Sequence, residues 1–181
     1  SDLFVKCLEA EGVTKIFGIP GEENADLMIS LKKSKIEFVL CRHEQAAAFM
    51  ADVYGRLTGK AGVCLATLGP GVTNLMTGLA DANMDRAPVV AIIGQGSTER
   101  LHKESHQIMD SISMVAPISK WAQTILSAKN VTEVVRKAFK VAETEKPGVT
   151  VIELPEDVAK EEVNENPIKP SLIRRPAADY R

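Results

Sequence analysis

Glu44 is the acidic residue best placed for chemistry in this sequence. It lies in the segment Arg42-His43-Glu44-Gln45, which joins a short apolar run to a stretch of helical period. A carboxylate in the first turn of a helix that follows a strand can point back across the strand ends and exchange a proton there. The same position lets a carboxylate simply complement the positive end of the helix dipole, for about 0.3–1 kcal/mol. Both interpretations stay open on the residues alone.

Three loops that follow predicted strands each contain paired glycines. They are Gly18-Ile19-Pro20-Gly21, Gly69-Pro70-Gly71 and Gly94-Gln95-Gly96. Ligands of open α/β sheets bind at the carboxyl ends of the strands, and glycine allows close approach of the backbone to a ligand. A single loop of this kind is explained as well by the need to turn, but three at one predicted edge favour a ligand site.

Other kinds of site lack their motifs. No loop completes the dinucleotide pattern G-x-G-x-x-G, because Asn74 and Glu99 occupy the third positions, and the P-loop pattern is absent. His43, His102 and His106 are not spaced as metal ligands with a matching carboxylate or thiol. No G-x-S-x-G elbow and no suggestive Cys/His pair favour hydrolysis.

The elements that position these residues alternate between strands and helices. Because parallel strands need crossovers that cover both faces of a sheet, the alternation predicts a three-layer α/β/α sandwich with a mostly parallel sheet of about six strands. On the third helix, the apolar stripe Ala46, Phe49, Met50, Val53 and Leu57 is expected to face the core. The predicted strands are Lys15–Pro20, Glu37–Cys41, Gly62–Thr67, Val89–Gly94, Trp121–Leu126 and Val149–Leu154, and the predicted helices are Leu3–Glu11, Ala25–Lys33, Glu44–Thr58, Val72–Asn83 and Val131–Glu143.

Composition points to one globular domain of 181 residues, 45% of them hydrophobic, with a formal net charge of −2. No basic patch suggests nucleic acid as a partner, and no apolar run is long enough to cross a membrane, so we expect a cytoplasmic protein.

The three cysteines, Cys7, Cys41 and Cys64, are odd in number and are predicted to be buried free thiols. We expect the domain to span residues 1–160, with 161–181 as a proline-containing linker toward an absent central domain.

Several segments, taken in order, resemble the amino-terminal domain of acetolactate synthases, a family of thiamine-diphosphate enzymes. The resemblance covers nearly the whole chain and is specific in its order and spacing. It rests on Cys7–Gly12, Ile16–Gly21, Arg42–Arg56, Thr67–Asn74, Gly78–Asn83, Pro88–Gly94 and His106–Asp110.

The resemblance implies a thiamine-diphosphate fold in which this domain binds the pyrimidine end of the cofactor. Glu44 matches the family glutamate that hydrogen-bonds a pyrimidine ring nitrogen and so promotes removal of the thiazolium proton. Gln107 matches a catalytic-pocket glutamine that faces the substrate. The strand-end residues that match cofactor contacts are Pro20, Gly21, Thr67, Pro70 and Asn74, although ordinary turn and helix-start hydrogen bonding would also explain Thr67 and Asn74.

Two positions bear on which branch of the family the chain resembles. His106-Gln107 followed by Met109-Asp110 is similar to the catabolic, FAD-independent branch, so the resemblance implies an enzyme without FAD. Glu23 stands where catabolic members commonly have lysine, and an inward-pointing carboxylate there would disfavour a second anionic substrate.

The family binds Mg²⁺ and the diphosphate through a Gly-Asp-Gly motif and a later pair of asparagines, whereas this sequence contains neither Asp-Gly nor Asn-Asn. We therefore expect no metal ligand in this chain, a metal site in a missing carboxyl-terminal domain, and an isolated domain that is inert. Because the family places the cofactor between subunits, a homodimer or homotetramer through the cofactor domains is expected.

The activity that the resemblance implies is condensation of two pyruvates to acetolactate and CO2. One alternative is another thiamine-diphosphate decarboxylase or oxidase that acts on a 2-oxo acid. The other is a noncatalytic assembly module that has kept the fold.

Overall fold

The computed structural model describes residues 1–101 and 103–171, which form one open sheet with helices on both faces. The sheet has the strand order β2-β1-β3-β4-β6-β5, and every neighbouring pair is parallel. The strands are β1 (Lys15–Gly18), β2 (Glu37–Leu40), β3 (Gly62–Ala66), β4 (Val89–Gln95), β5 (Trp121–Thr124) and β6 (Val149–Pro155).

Two helical layers enclose this sheet, which confirms the predicted α/β/α sandwich. One layer contains α1, α2, α6 and α7, and the other contains α3, α4 and α5. The helices are α1 (Asp2–Ala10), α2 (Ala25–Lys32), α3 (Glu44–Thr58), α4 (Pro70–Met84), α5 (Ser111–Val115), α6 (Val131–Glu143) and α7 (Glu156–Lys160), with short 3-10 segments at Glu22–Asn24, Thr98–Arg100, Ala116–Ile118 and Ala128–Asn130.

Successive residues of each strand face opposite helical layers, and this alternation produces two separate cores. In β3, Val63 and Leu65 pack with the α1 layer, whereas Cys64 and Ala66 pack with the α3 layer. Strands buried on both faces are continuously apolar, as β3 and β4 are. These strands were predictable for that reason.

All six predicted strands and all five predicted helices are present, with end points that differ by a few residues. The helix predicted from Val72 begins two residues earlier, because Pro70 suits the first position of a helix, where no backbone N–H is needed. The five-residue helices α5 and α7 were not predicted, since one turn is too short to show a helical period.

The prediction for the apolar stripe of α3 is wrong. Three of its members are exposed, with Met50 at 44%, Val53 at 51% and Leu57 at 82% of their full accessibility, and Ala46 and Phe49 are only half-buried. The buried face consists instead of small residues, which permit close packing against α4 and the sheet. These are Ala47, Ala48, Ala51 and Gly55, together with Glu44 and Asp52.

Close contact between α3 and α4 depends on glycine and on one arginine. A Cβ atom added to Gly78 of α4 would lie 2.6 Å from Cβ of Ala48. At the far end of the two helices, Arg56 of α3 donates two 2.7 Å hydrogen bonds to the buried Asp52. Arg56 also forms an ion pair with Asp85, the residue that follows α4, at 2.7 Å.

The three cysteines are free and buried, as expected. Desolvation raises the pKa of the Cys64 thiol to about 12, so this sulfur is protonated and unreactive at neutral pH. Of the three histidines, His102 lies outside the described residues. Within the residues described, no group of three or more His, Cys, Asp or Glu side chains could hold a metal ion, and no helix is long and apolar enough to cross a membrane.

The segment 161–171 contains no regular secondary structure, whereas the last ten residues of the expected linker lie outside the described residues. The assignment of residues 161–181 as a linker therefore stays a prediction.

Candidate active site

Glu44 is the first residue of α3 and lies at the carboxyl edge of the sheet, directly after the loop that leaves β2. The helix begins here because His43 has extended backbone geometry and its Nδ1 accepts a 3.1 Å hydrogen bond from the N–H of Gln45. The Glu44 side chain is only 9% exposed. A carboxylate that only complements the helix dipole does not need to be buried, so the burial of Glu44 indicates a further role.

Asn74 of α4 holds the Glu44 carboxylate. Its Nδ2 donates a 2.9 Å hydrogen bond to Glu44 Oε2. Among residues 1–101 and 103–171, no side chain donates to the other oxygen, Oε1, and no cation forms an ion pair with Glu44. The carboxylate is therefore oriented by a neutral amide and keeps one oxygen for a further donor.

Gly71 leaves room beside that second oxygen. A Cβ atom built on Gly71 would lie 3.7 Å from Glu44 Oε1 and 3.1 Å from Cγ2 of Thr67. Any larger residue would fill the space between these two side chains. The second glycine of the Gly69-Pro70-Gly71 loop thus keeps open the space next to Glu44.

Gly21 and Thr67 bring the loops after β1 and β3 into contact. A Cβ atom on Gly21 would lie 2.5 Å from Cβ and Oγ1 of Thr67, so only glycine fits at this position. The Thr67 hydroxyl donates a 2.9 Å hydrogen bond to Oε2 of Glu23. The Glu23 carboxylate thus points inward, across the gap between β1 and β3.

The turn that carries Glu23 is held by Asn24. Its Oδ1 accepts a 2.9 Å hydrogen bond from the N–H of Gly21. Its buried Nδ2 has no hydrogen-bond partner within the described part of the chain. An unsatisfied buried donor costs about 1–3 kcal/mol, so the turn is maintained at some expense of stability.

Gln107 lies at the same edge, where its backbone packs closely against Gly69. A Cβ atom on Gly69 would lie 2.7 Å from the backbone oxygen of Gln107 and 2.9 Å from its Cβ. Both residues have a positive φ, 56° at Gly69 and 57° at Gln107. The Gln107 side chain is exposed and so is available to a ligand that binds over the strand ends.

The two prolines predicted to contact a ligand are also at this edge. Pro20 is exposed in the loop after β1, and Pro70 is exposed at the first position of α4. The structure thus brings the predicted site residues Pro20, Gly21, Glu44, Thr67, Pro70, Asn74 and Gln107 to one edge of the sheet.

A second polar cluster, which the sequence analysis missed, lies between β4, β6 and β5. Glu153 of β6 is 4% exposed; its Oε1 accepts a 3.0 Å hydrogen bond from Gln95 and its Oε2 a 2.6 Å bond from Thr124. Desolvation is the main cause that raises the pKa of Glu153. These residues border a cavity of about 410 Å³. The available signal was a lone acidic residue within an apolar strand.

A comparison with models of protein families identifies the family of this chain. The model for the thiamine pyrophosphate enzyme N-terminal TPP-binding domain matches residues 1–114, a range that includes all seven predicted site residues. The chain belongs to this family.

Members of the family named acetolactate synthase are similar to the chain over most of its length. The catabolic acetolactate synthase of Raoultella terrigena is 45% identical over 158 residues, which are 87% of this chain and 28% of that protein. The acetolactate synthase of Bacillus subtilis strain 168 is 40% identical over 181 residues, which are 99% of this chain and 32% of that protein. The chain spans about three tenths of the length of these curated relatives.

The residues at this edge fit a heterocyclic cofactor such as thiamine pyrophosphate, also called thiamine diphosphate. Glu44 Oε1 is available to a ring nitrogen that donates a hydrogen bond, and Gly71 leaves the space beside it. The Thr67 hydroxyl is engaged by Glu23 and Asn74 is engaged by Glu44, so both residues position acidic side chains in this structure.

Proposed function

We propose that this chain is the N-terminal, cofactor-activating domain of a thiamine-diphosphate-dependent carboligase that condenses two pyruvates to acetolactate and CO2. Membership of the TPP-binding family and the names of its relatives support the proposal. The single observation that carries it is the buried Glu44 carboxylate, with one oxygen held by Asn74 and the other without a donor among the described residues.

Glu44 is the catalytic group in this proposal. Bound thiamine diphosphate supplies a thiazolium carbon that becomes nucleophilic on loss of a proton and an electron sink for decarboxylation. Glu44 shares a proton with a ring nitrogen of the aminopyrimidine, and Asn74 keeps the carboxylate in the required orientation. Gln107, exposed above Gly69, faces the substrate.

The remaining parts of the site belong to other domains in this proposal. A carboxyl-terminal domain binds Mg²⁺ and the diphosphate, and the reaction requires no FAD. The cofactor lies between subunits of a homodimer or homotetramer, and the enzyme is cytoplasmic.

The role of Glu44 is tested in the full-length protein with pyruvate, thiamine diphosphate and Mg²⁺. Glu44→Gln retains the size of the side chain but cannot exchange the proton, so acetolactate formation should fall by about 10²–10⁴-fold, the usual contribution of acid–base catalysis. Glu37→Gln is the matched control, because Glu37 is an exposed carboxylate at the start of β2 and should leave the rate unchanged.

Two results would contradict the proposal in different ways. Turnover retained in Glu44→Gln would remove the mechanism. Release of free aldehyde without acetolactate would instead identify a simple decarboxylase that acts on 2-oxo acids.

A further inference from the structure

Glu23 places an acidic group in a crevice of the sheet. The chain leaves β1 toward α2 on one face and leaves β3 toward α4 on the other, although β1 and β3 are neighbours. Such a reversal opens a crevice at the carboxyl ends of the two strands, and ligands bind there in open α/β sheets. The hydrogen bond from Thr67 to Glu23 spans this crevice.

Contacts between side chains link Glu23 to the proposed catalytic carboxylate. Glu23 accepts from Thr67, Thr67 lies against Gly71, and Gly71 borders Oε1 of Glu44. Glu23 and Thr67 also approach the end of β4, where a Cβ atom on Gly94 would lie 3.5 Å from both Cβ of Glu23 and Cα of Thr67. Glu23 is therefore part of the wall of the same site.

Two carboxylates without a directly paired cation, those of Glu23 and Glu44, line this site. In the described ranges, 1–101 and 103–171, no Lys or Arg forms an ion pair with Glu23 or Glu44. The N-termini of α3 and α4 attract anions, but each carries only about half a positive charge, and the two carboxylates offset them. A 2-oxo acid brings a further carboxylate into this field, whereas an aldehyde does not.

We propose that Glu23 tunes the specificity for the acceptor: its carboxylate weakens the reaction with a second 2-oxo acid relative to the reaction with an uncharged aldehyde. The inference rests on the proposed carboligase function. In either reaction the bond between C1 and C2 of the donor breaks and CO2 leaves. The electron pair left on C2 forms the bond to the acceptor carbonyl carbon, whose oxygen takes up a proton. A second pyruvate gives acetolactate, and acetaldehyde gives acetoin.

The test compares full-length wild type with Glu23→Gln and Glu22→Gln, each loaded with thiamine diphosphate and Mg²⁺. In Glu23→Gln the amide oxygen of the new side chain still accepts from Thr67, so only the charge is removed. Glu22→Gln removes the same charge from an exposed neighbouring side chain and is the matched control. The first measurement is the ratio of acetolactate to acetoin when pyruvate and acetaldehyde compete as acceptors. Because both products form from the same bound donor, a change in donor binding does not alter this ratio.

The second measurement requires no turnover. Oxamate, an unreactive analogue of pyruvate that carries the same negative charge, is titrated into each loaded protein by calorimetry. We expect both the product ratio and the oxamate affinity to rise about tenfold in Glu23→Gln and to stay at wild-type values in Glu22→Gln, as for a charge in a partly screened site. Affinity for thiamine diphosphate should be equal in all three proteins.

Each other result has a definite meaning. Oxamate affinity that does not rise in Glu23→Gln, or that rises equally in Glu22→Gln, overturns the inference. Loss of cofactor affinity in Glu23→Gln also overturns it, because Glu23 would then position the cofactor. Absence of CO2 release from pyruvate by the wild-type protein overturns the proposed function, and oxamate binding then shows separately whether the Glu23 charge opposes an anion at this edge.

Discussion

Glu44 and Glu153 are both buried carboxylates near the carboxyl ends of strands, but their hydrogen bonds differ. Glu153 uses both oxygens inside the protein, one with Gln95 and one with Thr124. Glu44 uses one oxygen, and the described residues provide no donor for the other. A carboxylate with both oxygens engaged stabilises its surroundings, whereas one with a free oxygen can serve a ligand.

Glu153 should make the stability of the protein depend on pH. Burial raises its pKa above the ordinary value of 4.5, so folding favours the protonated form. Protonated Glu153 stabilises the fold fully at pH values below its unfolded-state pKa. This stabilisation is lost as the pH rises through its folded-state pKa. In Glu153→Gln this loss is absent, so the melting temperature of the variant relative to wild type should increase as the pH rises above 4.5.

Thermal unfolding of the chain over a pH series measures this difference. Glu162→Gln is the control, because Glu162 is exposed and should give no trend with pH. A constant difference between Glu153→Gln and wild type would mean that the burial of Glu153 does not alter its ionisation.

Sequence reasoning located Glu44 but not the partners of the acidic residues. The position of Glu44 follows from local signals, a strand followed by a helix start. The bond between Glu23 and Thr67 joins residues 44 positions apart, and that between Gln95 and Glu153 joins residues 58 positions apart. Such pairs depend on the strand order and on side-chain directions, which no local pattern contains.

The α3–α4 helix pair determines where Glu44 and Asn74 meet. A methyl group on Gly78 would lie 2.6 Å from Cβ of Ala48 and 3.2 Å from the backbone oxygen of Gln45. Neither atom belongs to a flexible side chain, so the helices would have to separate.

Gly78→Ala should therefore destabilise the chain, although alanine favours helix by about 1 kcal/mol. Overpacking costs about 1–3 kcal/mol, so the free energy of unfolding should fall in denaturant titrations. Thr77→Ala, one residue earlier on the exposed side of α4, should not destabilise. A Gly78→Ala variant as stable as Thr77→Ala would show that the helix contact has room for a methyl group.

Element prediction succeeded for the six strands and the five longer helices but failed for the two five-residue helices and for the buried face of α3. The apolar stripe was assigned to the core on the assumption that larger apolar side chains are buried. In the structure, alanine and glycine occupy the contact because only small side chains allow the helices to approach so closely. Which face is buried thus depends on the distance to α4, which the sequence of α3 alone does not specify.

At the scale of the whole molecule, the exposed face of α3 is the surface most in need of a partner. Met50, Val53 and Leu57 project from one helix into solvent. Exposed apolar patches commonly mark interfaces between proteins. This surface lies on the helix that starts at Glu44, so it fits the proposal of a cofactor site shared between subunits.

Val53→Lys should weaken self-association of the full-length protein without loss of fold, because Val53 is half exposed in the chain. We expect at least a tenfold increase in the dimer dissociation constant by sedimentation velocity, since a lysine charge would be buried in the interface. Leu126→Lys is the matched control: Leu126 is 65% exposed and follows β5 at the opposite edge of the sheet. Equal association of the two variants would assign the interface to another surface.

The composition of the buried α3 face also affects the entropy of folding. Alanine and glycine have no rotamers to lose, so the contact between Ala48 and Gly78 forms with only the backbone contribution to the entropic cost. Neither of these two residues has an alternative rotamer that could shift α3 relative to α4. The proposed catalytic carboxylate thus begins a helix whose contact at Gly78 has no rotamers to rearrange.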